Sequence, residues 1–75
     1  MPALPVISGA DAMRAFGRNG WIAVRQRGSH IIMVKDGSTA SLSVPNHREL
    51  ARGTLRSLIR DAGLTVQEFI ELLDA

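Results

Sequence analysis

What most constrains this chain is the stretch from Trp21 to Val44, where three short runs of strand-forming residues are separated by little more than turn residues. Trp21 to Gln26 reads as a strand, with Ile22 and Val24 on one face and Trp21, Ala23 and Arg25 on the other. Arg27-Gly28-Ser29 turns the chain. The β-branched Ile31, Ile32 and Val34 predict a second strand from about 30 to 35, and His30 stands where turn becomes strand. Asp36-Gly37 is a two-residue hairpin signal. A third strand is expected over about 39 to 44, where Ala40, Leu42 and Val44 alternate with Thr39, Ser41 and Ser43, and Pro45 stops it. The three strands make an antiparallel meander.

Helical patterns flank the meander. Residues 1–7 contain two prolines and no periodic pattern, and read as an extended arm. Ser8 is a fitting N-cap, with Asp11 in the first turn. Ala10, Met13, Phe16 and Gly17 then recur at helical spacing, which predicts a helix over about 9 to 18 that Asn19 and Gly20 end. Asn46, His47, Arg48 and Glu49 form a polar connection. Gly53-Thr54 opens a second helix whose apolar stripe is Leu55, Leu58, Ile59 and Ala62, and Gly63 closes it. Thr65-Val66-Gln67-Glu68 is a capping box for a short third helix carrying Val66, Phe69, Ile70, Leu72 and Leu73. The order α-β-β-β-α with a terminal helix predicts an α+β fold with helices on one face of an antiparallel sheet. No internal repeat or interdomain linker interrupts it, so residues 1–75 read as a single domain.

Composition narrows the class. A chain of 75 residues buries only about 60% of its unfolded surface. It has no cysteine, so no disulfide or thiolate metal site can staple it; a partner or self-association would add stability. The start, Met1 to Val6, lacks a basic stretch and a long apolar core and does not read as a signal peptide. The longest apolar run of the meander, Ile31 to Val34, is far short of a membrane span. These features are compatible with a cytoplasmic location.

The formal charge of +2 understates how basic the chain is. All nine basic residues lie between Arg14 and Arg60, where only Asp36 and Glu49 oppose them, a net +7 for that segment. Eight of the nine are arginines, whose planar fork suits phosphate. The block favours a polyanionic partner, nucleic acid or an acidic protein; a plain solvated surface is the alternative for any single arginine. Within the block His30 is flanked in sequence by Arg25, Arg27 and Lys35, which together can hold a phosphate. Histidine changes charge near neutral pH. A titratable base in a cationic frame is what phosphodiester cleavage without a metal requires. The leading expectation is RNA cleavage in which His30 handles the proton.

The residues 17–35, 43–64 and 65–73 resemble the HicA toxin family. The resemblance rests on Gly28-Ser29-His30, on Val44-Pro45-x-His47 and on Gly53-Thr54-Leu55-Arg56, in family order. It implies a double-stranded-RNA-binding-domain-like fold, toxic mRNA endonuclease activity without a metal or other cofactor, and neutralisation by a HicB antitoxin. The histidine of the family's Gly-Ser-His motif, catalytic there, corresponds to His30. The chain departs from the family at Ile31, where a second histidine or an aromatic side chain is common.

The remaining candidates stay open at this level. His47 is either a complementary acid or base, a phosphate contact, or a loop side chain that holds the Pro45 turn through a backbone hydrogen bond. Ser29 and Arg48 are candidate phosphate contacts. Arg52, Arg56 and Arg60 form a ridge at i, i+4 and i+8 that binds RNA, binds an antitoxin or is simply solvated. Trp21 reads as a core residue rather than a base-stacking platform. Two histidines seventeen positions apart, with no cysteine, do not match metal-ligand spacings. Three functions follow: a ribonuclease toxin held by a protein partner and able to form a homodimer or a toxin–antitoxin hetero-oligomer, a non-catalytic RNA-binding module, and an adaptor whose basic face docks an acidic protein.

Overall fold

The computed structural model describes residues 3–75. Its elements are α1 (Gly9–Arg18), β1 (Ile22–Arg27), β2 (His30–Val34), β3 (Leu42–Pro45), α2 (Arg52–Asp61) and α3 (Val66–Asp74). The strands form an antiparallel sheet in the order β1-β2-β3. The fold is the expected small α+β arrangement, α-β-β-β-α-α. Among the described residues no helix is long and apolar enough to cross a membrane.

Two helices start on capping boxes. Ser8 Oγ accepts the Asp11 N–H at 3.0 Å, and the Ser8 N–H donates to the Asp11 carboxylate at 3.3 Å. Thr65 and Glu68 repeat the exchange at 3.1 and 2.8 Å to start α3. Helix α2 begins one to two residues earlier than Gly53-Thr54 predicts, after Ala51, which supplies no side-chain cap. Its apolar stripe is as expected, with Leu55, Leu58 and Ile59 buried and Ala62 half-buried. The stripe of α1 differs. Ala12, Ala15 and Phe16 are buried with Gly9, whereas Ala10 and Gly17 are exposed. Small residues bring α1 close to its neighbours, and alanine carries too little hydropathy to mark that face in the sequence.

The hairpins also differ from the sequence reading. The tight two-residue turn is Gly28-Ser29, since Arg27 pairs directly with His30. Gly28 has φ +60° and Ser29 has no positive φ, which is the glycine-first turn that suits a right-twisted hairpin. Gln26 Nε2 braces it by donating to the Gly28 carbonyl at 2.8 Å. Asp36-Gly37 is a turn, closed by the Ser38 N–H on the Lys35 carbonyl at 3.1 Å. Only Gly37 there has a positive φ, so the mirror-image turn that needs two such residues does not form. The connection therefore runs on, and β3 starts at Leu42 rather than 39.

The core lies between the helices and one sheet face. Met33, Leu42 and Val44 meet Ala15, Phe16, Leu55, Ile59 and Phe69 there. Phe16 and Phe69 rings lie 5.1 Å apart at 48°. Arg18 Nη1 donates to the Leu72 carbonyl at 2.7 Å, placing a cation on the carbonyl end of α3. Trp21 is buried, as its sequence position suggests, and its Nε1 has no hydrogen-bond partner among the described residues. The arm contributes more than its prolines indicate. Residues 3–8 have no helix or strand, yet Leu4 and Ile7 are buried core residues.

The start of α1 is locked against the end of β3. Gly9 donates to the His47 carbonyl at 2.8 Å, and Leu50 donates to the Ile7 carbonyl at 2.9 Å. A Cβ on Gly9 would stand 2.1 Å from the Pro45 carbonyl oxygen. Gly9→Ala is therefore expected to lower stability by about 1–3 kcal/mol, read as a lower urea midpoint. Asp11 gives a second test. The Ser8 backbone N–H, then the Ser8 hydroxyl, then Arg14 hold its carboxyl below the ordinary aspartate range. A depressed folded-state value adds stability above the unfolded-state value, and that stability is lost as pH falls through the folded one. Wild type and Asp11→Asn should differ in urea midpoint near neutral pH and converge in strong acid.

Candidate active site on the free sheet face

Strand register decides which side chains share a face. Ile31 and Met33 of β2 pair with Val44 and Leu42 of β3, and this set faces the core. His30, Ile32 and Val34 therefore face the opposite, helix-free side. On β3 that side carries Ser43, the partner of Ile32.

A β-bulge settles the face of the arginines. Ala23 pairs with Met33, but the next pair is Arg25 with Ile32, so Val24 is an extra residue in β1. Simple alternation puts Arg25 on the face of Ala23, as the sequence reading has it. The bulge overturns that reading and puts Arg25 and Arg27 on the face of His30. Arg27 is the direct cross-strand partner of His30, a relation in which Cβ atoms lie about 4.5–5.5 Å apart. All three side chains are exposed.

His30 is the first residue of the central strand, with Arg27 on one side and β3 on the other. Its Nδ1 lies 2.9 Å from Ser43 Oγ. Ser29, exposed in the turn, accepts the Asn46 N–H at its carbonyl at 2.7 Å. That bond brings the Asn46–His47 segment to the same end of the sheet. The loop is held by main-chain bonds at Asn46, His47 and Leu50, and among the described residues no hydrogen bond of the His47 imidazole braces it. His47 and Arg48 are exposed beside the turn.

Lys35 does not join this group. It lies five residues along from His30, about 17 Å of extended chain. Its Nζ donates to Asn19 Oδ1 at 3.3 Å, and its methylenes cover Gly20. The expected Arg25, Arg27 and Lys35 frame is reduced to the two arginines. Sequence proximity suggested the lysine, but it sits at the far end of the strand and reaches to the end of α1. Arg52, Arg56 and Arg60 are exposed on α2, in the helix layer, and Arg60 lies 3.8 Å from the Asp61 carboxylate. Ser43 was not singled out by sequence reasoning. Its polar alternation with Leu42 and Val44 marks it as outward, but its register with His30 is not visible in one strand alone.

The free face thus offers an imidazole with one nitrogen held by a hydroxyl, and two guanidiniums on the adjacent strand. Such a set can bind a phosphate and move a proton beside it. A small α+β domain with this basic, helix-free sheet face is the class the geometry defines. A family model described as the HicA toxin of bacterial toxin-antitoxin matches residues 9–64. The chain belongs to the HicA toxin family. A comparison with curated proteins gives no match.

Titration of inorganic pyrophosphate into isotope-labelled protein tests the geometry directly. The largest amide and side-chain shifts are expected at Arg25, Arg27, Ser29 and His30. Lys35 should stay still; shifts centred on Lys35 and Asn19 would contradict the two-arginine site.

Proposed function

We propose that this chain, a toxin of a toxin–antitoxin system by family, acts as a metal-independent endoribonuclease on mRNA in the cytoplasm. A HicB-type antitoxin would hold it in check. The observation that carries this reading is the pairing of His30 with Arg27 across a two-residue turn, on a face no helix covers. The ribose 2′-OH attacks the adjacent phosphorus, the O2′–P bond forms and the P–O5′ bond breaks. His30 either takes the 2′ proton or protonates the leaving 5′ oxygen, with water serving the other transfer. Arg25 and Arg27 hold the non-bridging oxygens as charge builds on the phosphorane. The products are a 2′,3′-cyclic phosphate and a 5′-hydroxyl. Arg48, Arg52 and Arg56, with His47, are the candidates for backbone phosphates further along the strand, where contacts position RNA without reading its sequence.

The test is cleavage of a mixed single-stranded RNA in EDTA by wild type and His30→Ala, with the product ends identified. Loss of His30 should slow cutting by about 10²–10⁴-fold while circular dichroism and RNA affinity hold. Arg27→Ala should weaken RNA binding as well as cutting. RNA bound tightly by wild type but never cut would favour the non-catalytic RNA-binding module. Equal cutting by both proteins would remove His30 from the chemistry.

A further inference from the structure

The contact between Ser43 and His30 has a consequence for the imidazole's chemistry. Ser43 lies on β3 opposite Ile32, two residues along from the position opposite His30. The imidazole leans diagonally across the free face to reach it, and Nδ1 to Oγ is 2.9 Å. On its other flank stands Arg27, whose guanidinium has only donors and accepts nothing from the ring. Nδ1 is thereby engaged, and Nε2 is the nitrogen left for a substrate.

We infer that Ser43 is a positioning residue for His30: its hydroxyl holds Nδ1 and presents Nε2 to the phosphodiester. In this assignment the hydroxyl serves as the acceptor, and Nδ1 carries the proton. It accepts from Nδ1–H while Nε2 is a free base, and it goes on accepting when Nε2 has taken a proton. The ring therefore keeps its orientation through the transfer. Without an acceptor at Nδ1, the proton is free to sit on Nε2, and that tautomer cannot take a proton from the 2′-OH. Pairing between β2 and β3 holds the two residues in register, so the orientation comes from the sheet and not from a mobile loop. The assignment rests on the ribonuclease reading, and two readouts separate the two ideas.

The experiment compares wild type, Ser43→Ala and Ser43→Thr as full-length proteins. The first readout, taken without RNA, is the pair of His30 ring-nitrogen shifts in long-range proton–nitrogen correlation spectra, which report the tautomer. The second is the single-turnover cleavage rate together with RNA affinity. Ser43→Ala should move the ring-nitrogen shifts toward the Nε2–H form and slow cleavage roughly 3- to 10-fold, the rate equivalent of one neutral hydrogen bond. RNA affinity should not change, and threonine should restore both readouts. Unchanged ring shifts and rate in Ser43→Ala would overturn the assignment. So would a rate loss that threonine does not rescue, or one that tracks lost affinity. If wild type itself cuts nothing while its ring shifts still depend on Ser43, the ribonuclease reading falls, and with it the catalytic use of a contact that stands.

Discussion

A shift of one residue in strand register moves every side chain of that strand to the other face. Two local features fix the register of β1 against β2. The Gly28-Ser29 turn, with φ +60° at Gly28, makes Arg27 and His30 the first pair of the hairpin. The bulge at Val24 then absorbs one residue, so that Ala23 can still meet Met33 on the core side. Without the bulge, either Ala23 stays on the core side and both arginines join it there, or the arginines stay outside and Ala23 leaves Met33. The extra residue lets one short strand keep Ala23 opposite Met33 and still carry both arginines on the free face.

The helix layer fixes the other strands. Leu42 and Val44 of β3 are buried against α1 and α2, and Met33 of β2 joins them. Strand β1 is exposed along its whole length, with Ile22 61% and Val24 52% accessible. Its position depends on β2 and on the two turn-level features, not on burial. The core also recruits segments beyond the meander. Leu4 and Ile7 enter from the N-terminal side, and α3 is held by Phe69 on Phe16 and by Arg18 on the Leu72 carbonyl. The family match ends at residue 64, so α3 lies outside it. In a chain without cysteine, these additions enlarge a core that would otherwise be small.

Sequence patterns recovered what depends on local chemistry. The Ser8 and Thr65 caps, the stripe of α2, the three strands and the α+β order all follow from residue types at fixed spacings. What those patterns missed depends on partners. The bulge is invisible in β1 read alone, because alternation through Val24 is unbroken in the sequence. Lys35 looked like a member of the cationic frame because it is near His30 in the chain, yet strand extension carries it away. Ser43 meets His30 only through a contact across neighbouring strands, between residues thirteen apart in the chain. The hairpin signal at Asp36-Gly37 competed with Gly28-Ser29, and only φ distinguishes the two turns.

The charge distribution then explains how an exposed site can be ready for an anion. Surface ion pairs are weak, but a carboxylate beside an arginine still competes for its fork. The ion pairs among the described residues are Arg14–Asp11 and Arg60–Asp61, and neither involves the free sheet face. Asp11 is engaged in the cap of α1, and Glu68 in that of α3. Arg25 and Arg27 are thus left without an acidic neighbour to displace. On the proposed reading, water screens them until a phosphate binds. The backbone register has already set where they stand relative to His30, so the sheet and not a salt-bridge network provides the preorganisation. An arginine moved to the core side of the sheet would keep its charge and lose that placement, and a change of one residue at Val24 is enough to do it.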